Sequence, residues 1–218
     1  MNVHPANLSN WELGAAGPRP ASVARVLGFL GVKGREYEQI MALAEHVGDA
    51  NWVDQSASPF IDLLSAYERL SSRIVEWAPF RLPDLIRTPT SDSSEDALPR
   101  TERSDQELFH REVRRQVMND GGRRYVFMVG DQAMRSAGHE PFADSQRAHV
   151  DIRVLPTSSL GTPGPFTVFE AGNRPVAVAL RHDHSTTYVT DKDLLGSYHR
   201  TAKALLRQAT VSNRVWAS

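Results

Sequence analysis

Apolar positions in the first part of the chain recur at helical spacing. Pro5 suits the first turn of a helix over Ala6–Leu13, which Gly14 would end. The run from Ala15 to Pro20 reads as a turn, and Ser22 as the cap of a second helix carrying Val23, Val26, Leu27 and Leu30. Gly31 closes that helix. Tyr37, Ile40, Met41, Leu43 and Ala44 predict a third over Arg35–Val47. From Pro59, the residues Phe60, Leu63, Leu64, Tyr67, Leu70 and Ile74 predict a longer helix ending near Pro79. Pro89 to Asp105 is rich in Ser, Thr, Asp, Glu and Pro and poor in large apolar side chains, which predicts a mobile loop. A helix over Asp105–Met118 follows, stopped by Asp120-Gly121-Gly122.

The period then changes. Arg124–Val129 reads as a buried strand, and His149–Leu155 alternates until Pro156. Phe166–Glu170 and Val176–Leu180 are two more strands, joined by a turn over Ala171–Pro175, and Ser185–Thr190 is a fifth. Leu194, Leu195, Tyr198, Ala202, Leu205 and Leu206 mark a last helix over Asp191–Gln208. Helices first, then a small, mostly antiparallel sheet with flanking helices, make the expected class α+β. The expected division is 1–50, a helical unit, and 51–218, an α+β unit.

Composition narrows the chemistry. The 218 residues carry a formal net charge of −1, which gives no electrostatic footprint for nucleic acid. Basic residues are almost all Arg, with Lys at positions 33, 192 and 203 alone. With no cysteine, thiolate nucleophiles, disulfides and Cys-ligated metals are excluded. The start lacks a basic segment followed by an apolar run, and no apolar stretch approaches the ~20 residues of a membrane span. The expected location is the cytoplasm.

Two stretches carry a family resemblance. Leu8 to Gly14, with Pro18-Arg19-Pro20 and the helix after it, resembles the recognition helix and the two following helices of actinobacterial Xre-type helix-turn-helix regulators. Tyr67–Ile74 followed by Leu82-Pro-Asp-Leu-Ile-Arg-Thr88 resembles the start of the uncharacterised effector domain fused behind that motif. Arg111–Met118, Tyr125–Met134, the Arg153–Pro156 strand end, Gly164–Phe166 and the terminal helix extend the match along most of the chain. Relative to the family turn, Asp84 replaces Gly and Arg87 replaces Gln. The usual helix before the Arg153 strand is shortened to Ser145–Ala148, and a strand that commonly ends in Glu reads Leu180-Arg-His-Asp-His184. Family members begin with two helices ahead of the recognition helix. The expectation here is therefore an N-terminally truncated, divergent member without specific DNA binding. The alternative is that those helices lie upstream of this Met1. A small partner protein encoded nearby is implied by the resemblance, and a homodimer is the other way to cover the helical unit's apolar surface.

Candidate chemistry gathers at the changed positions. His182 and His184 point one way from a strand, Arg181 and Asp183 the other. Two imidazoles fall short of a metal site, so no metal or other cofactor is expected. A His near neutral pH is a plausible base. Arg87 offers a planar fork to sulfate, phosphate or carboxylate. Glu68 and Arg73 are placed on the helix before it, with Glu76 aligned to Glu68. The expected assignment is His182, Asp183 and Glu68 as catalytic groups, and Arg87, Arg181, His184 and Arg73 as binders of a small polar metabolite. The expected function is a subunit of a cofactor-independent, lyase-like enzyme complex of secondary metabolism. It would cyclise its substrate by internal displacement of an anionic group. The two-protein aziridine-forming systems of azinomycin-type antibiotic biosynthesis are the specific setting expected, although no motif carries that link. A transcriptional regulator, or its ligand-sensing or partner-binding domain, is the alternative.

Overall fold

The computed structural model describes residues 4–12, 16–54, 63–87, 102–136, 148–156, 163–182 and 185–211. The chain divides into two compact units, Met1–Trp52 and Val53–Ser218.

The first unit holds helices α1 (Pro5–Glu12), α2 (Pro20–Leu30) and α3 (Arg35–Glu45). Helix α2 starts two residues before the expected Ser22 cap. Pro20 lacks an N–H that would need a partner and has its φ preset, so it opens the helix after an extended Arg19 that makes no side-chain cap. Gly31 closes α2 with φ at 72°, a left-handed conformation that favours glycine. Leu27 and Ala44 are buried, and His46 stacks on Trp52 with ring centroids 4.9 Å apart.

The α+β class is as expected. In chain order, the strands are β1 (Asn51–Asp54) at the unit boundary, β2 (Arg73–Ala78), β3 (Arg124–Gly130), β4 (Val150–Leu155), β5 (Phe166–Ala171), β6 (Arg174–Arg181), β7 (Thr186–Val189) and β8 (Thr210–Val211). Their order across the sheet is β1-β7-β6-β5-β2-β3-β4-β8. Strands β2, β3 and β4 pair in parallel at the centre, while β2/β5, β5/β6, β6/β7 and β4/β8 are antiparallel. The parallel connections carry α5 (Glu102–Asn119) and α6 (Asp131–Ser136). Helix α4 (Leu63–Leu70) precedes β2, and α7 (Lys192–Gln208) precedes β8.

Strand parity divides the core. Val75, Trp77, Val126, Met128, Val168 and Val178 face α7, whose Leu195 and Ala202 are buried against them. Asp191 caps α7 by accepting from the N–H groups of Asp193 and Leu194. The opposite face meets α4 and α5. There the Tyr67 ring packs on Phe169 and Tyr188, each at 5.4 Å. One cross-sheet row on this face reads Tyr188, Ala179, Thr167, Glu76, Phe127, Ile152.

Two expectations need correction. The helix predicted from Pro59 to Pro79 ends at Leu70, and residues 73–78 form the central strand β2. Ser71 and Ser72 break the helix, with the Ser71 hydroxyl bonded to the Tyr67 carbonyl and the Ser72 N–H to that of Glu170. Arg73 and Glu76 are therefore strand residues. Of the loop predicted over 89–105, residues 102–105 open α5 instead, and 89–101 lie outside the described residues. The short Ser145–Ala148 helix also falls largely outside them; Ala148 stands in a turn.

Candidate functional site

At the carboxyl end of β2 the chain turns through residues 79–87. Leu82, Leu85 and Ile86 are buried and anchor this turn, so Arg81, Asp84 and Arg87 are fixed beside the strand end. Arg115 of α5 pins it further by donating from Nη2 to the Arg87 carbonyl (2.5 Å) and from Nε to that of Leu85 (3.4 Å). In open sheets containing parallel strands, the carboxyl ends of those strands are where ligands usually bind.

Asp84 is the hub. It accepts a hydrogen bond from Arg181 at the end of β6 and another from Arg81 Nη2 (3.4 Å), and Arg87 Nη1 lies 3.8 Å away. Burial pushes the Asp84 carboxyl up. The charge and hydrogen bond of Arg181, with Arg114 and Arg81 behind, outweigh that and hold it well below the ordinary carboxylate range.

Beneath this hub lies a buried pair. Arg114 of α5 donates from Nε (2.8 Å) and from Nη2 (2.7 Å) to Glu68 Oε1 on α4, and Glu68 is 0 % exposed. The same Nη2 lies 4.0 Å from Glu76 Oε2. The Glu76 side chain is 10 % exposed, and among the described residues its Oε2 has no hydrogen-bond partner. Burial pushes the Glu76 carboxyl up, Arg114 and Arg181 pull it down, and Asp84 adds an upward push. The balance stays above the ordinary value. Four guanidinium groups and three carboxylates thus make an arginine–carboxylate chain of two sets. Arg114 contacts Glu68 and Glu76, while Arg81, Arg87 and Arg181 surround Asp84. Charge acting at a distance joins the sets, Arg181 on Glu76 and Arg114 on Asp84. A buried, incompletely hydrogen-bonded carboxylate beside an excess of guanidinium can exchange a proton while the arginines hold an anion.

The expected residues separate along this geometry. Arg87 and Arg181 meet at Asp84, and Glu68 holds Arg114, whose charge acts on Asp84 from a distance. Arg73 does not. Its strand parity turns it to the α7 face, where Nη1 donates to Glu170 Oε2 (3.2 Å), and the other oxygen of Glu170 faces His199 Nε2 (3.2 Å). His182 is exposed just past the end of β6, with Nε2 3.5 Å from Thr187 Oγ1, and no contact among the described residues links it to the arginine cluster. Asp183 and His184 lie outside the described residues. Sequence reasoning missed Arg81 and Arg114. Arg114 lies 46 residues from Glu68, beyond any local spacing rule.

Among the curated proteins, none matches this chain. One solved structure with a detectable likeness is TrmBL2, an archaeal chromatin protein whose structure shows a novel mode of DNA binding. It is 13% identical with a TM-score of 0.39, over 95% of this chain and 72% of that one. A family model described as a domain of unknown function, DUF5753, matches residues 61–214 and so encloses every group of the arginine–carboxylate chain. The chain belongs to the DUF5753 family.

Proposed function

We propose that the chain binds a small metabolite carrying an anionic group and an amine at the carboxyl end of β2, and cyclises it by internal displacement. The observation that supports this is the convergence of Arg81, Arg87, Arg114 and Arg181 on Asp84 and Glu76, with Arg81 and Arg181 reaching the surface. In the step, the amine nitrogen attacks the carbon bearing a sulfate or phosphate ester. The C–N bond forms, the C–O bond breaks, and its electron pair leaves with the oxyanion. The developing charge falls to the arginines, which a preorganised guanidinium stabilises better than water does. The proton released by nitrogen passes to a carboxylate, and Glu76 is the group so placed. Glu68 then acts as a positioning residue, orienting Arg114.

This reading keeps a regulator-derived protein of secondary metabolism, working in the cytoplasm with a small partner or as a homodimer. Aziridine formation with sulfate loss is its specific form, and the chain's own groups supply the acid–base and electrostatic work. A second reading, the ligand-sensing part of an Xre-type regulator, draws on the separate three-helix unit ahead of the α+β unit. The net charge of −1 favours the first.

The test is incubation of the full chain, with its co-expressed neighbour, with 2-aminoethyl sulfate as the simplest vicinal amino sulfate, reading sulfate release by ion chromatography. Sulfate and the cyclic amine are expected in equal amounts, and Arg181→Ala should lower the rate about 100-fold, as for loss of one oxyanion-stabilising donor. Ligand bound but recovered unchanged, together with sequence-specific duplex binding, would move the assignment to the sensor.

A further inference from the structure

We infer that Glu76 is the proton-exchange group of this site: an oxyanion seated against Arg81 and Arg181 enters together with a proton that settles on Glu76. The inference rests on the anion-binding reading above and adds a coupling that the reading does not require.

The geometry carries it. Glu76 projects from the middle of a buried strand, flanked in its row by Thr167 and Phe127, and water has almost no access to it. What favours its ionised form is charge at a distance. Arg114 lies 4.0 Å away on α5, and Arg181 and Arg81 act from β6 and the 79–87 turn. Asp84, in the same turn, opposes them and already holds a hydrogen bond from Arg181 and one from Arg81. Glu68 on α4 holds Arg114 through both Nε and Nη2. Arg87, in the same turn, adds a further guanidinium 3.8 Å from Asp84. Among the described residues, the phenols of Tyr67, Tyr125 and Tyr188 also stand on this face. Burial pushes those of Tyr67 and Tyr125 up, so they keep their protons.

An incoming oxyanion cancels the same guanidinium charge that favours the ionised form of Glu76 against burial. In a poorly solvated setting that charge is felt strongly. The ion adds negative charge on the Asp84 side, where the carboxylate already repels Glu76. Protonation is the cheapest response, since Oε2 has no hydrogen bond to give up. By linkage, a site that takes up one proton with its ligand binds more weakly as pH rises, by up to about tenfold per pH unit. When substrate replaces the simple ion, its own amine supplies that proton: Glu76 takes it as the C–N bond forms and charge moves onto the leaving oxyanion, and departure of that ion lets Glu76 release it.

The probe is inorganic sulfate, which does not itself titrate from mildly acid to mildly alkaline pH. Calorimetric titration of the full chain in two buffers of different ionisation heat gives the protons taken up per sulfate. Wild type should take up a proton, and its affinity should fall with pH. Glu76→Gln should still bind sulfate with no proton uptake and a flat pH profile. Equal uptake in both proteins would overturn the inference and leave the anion site standing. No sulfate binding by wild type, or binding unchanged in Arg181→Ala, would overturn the anion site itself. Infrared difference spectra of the wild type provide a check independent of the variant's folding. Sulfate should raise a protonated-carboxyl band, and its absence would overturn the inference.

Discussion

Replacing Arg114 by Met tests whether the buried chain of contacts holds α5 to α4. Met keeps much of the apolar stem of Arg and removes the charge. Glu68 is then left at 0 % exposure without the two donors at 2.8 and 2.7 Å, and Glu76 loses the guanidinium at 4.0 Å. Removing one partner of a buried ion pair costs about 3–5 kcal/mol, chiefly because the other charge stays buried and uncompensated. Against a total stability of roughly 5–15 kcal/mol, that is a large share. If the cost lies in the orphaned charge, adding Glu68→Gln should recover about 2 kcal/mol of it, since a neutral amide is far cheaper to bury. The assay is urea unfolding of the full chain, followed by far-ultraviolet circular dichroism and by tryptophan fluorescence, to which Trp77, buried in the α7-side core, contributes. A loss under ~1 kcal/mol for Arg114→Met, or a double variant no more stable than the single one, would refute the reasoning.

Two further outcomes follow from the same map. Asp84 is held below its unfolded value, so its stabilisation is present at neutral pH and fades as pH falls through the carboxylate range. Glu76 is held above its unfolded value, so its contribution is greatest in acid and is lost as pH rises through its folded value. In denaturation series against pH, Asp84→Asn should therefore lose stability at neutral pH and converge on wild type in acid. Glu76→Gln should gain on wild type as pH rises, and parallel curves would contradict both assignments. On the other face, Glu170→Gln should cost about 1–3 kcal/mol in thermal unfolding, by weakening the contacts to Arg73 and His199, while leaving sulfate affinity unchanged. A sulfate defect as large as that of Arg181→Ala would place Arg73 back in the site.

Legibility followed the physics of each element. The antiparallel strands β5 to β7 were readable because the chain folds back on itself through local turns, with Gly172 at a φ of 62° supplying one of them. Helix α7 was readable because one of its faces is wet and the other packs on the sheet. Strand β2 was not. It is buried on both faces at the sheet centre, so it lacks alternation. Ile74 also falls four residues after Leu70, as it would if the helix continued. The central sheet is missed by local patterning for the same reason that it is central. The site inherits this. Asp84 and Arg181 are 97 residues apart and meet only because β6 lies two strands from β2 in the sheet. Their changed identities were visible in the sequence, but their contact was not.

The misread period also explains which site residues survived. On a helix, residues 73 and 76 share a face, and Arg73 would stand beside Glu76. On a strand they are three apart and therefore point to opposite sides of the sheet. Replacing the helical period with the strand period sends Arg73 to Glu170 and His199 and leaves Glu76 facing Arg114. A charged residue inside the apolar run Ile74-Val75-Glu76-Trp77-Ala78 was the available signal. A buried strand accepts a carboxylate at that position only where guanidinium groups from other elements meet it, and those elements are the ones that build the site.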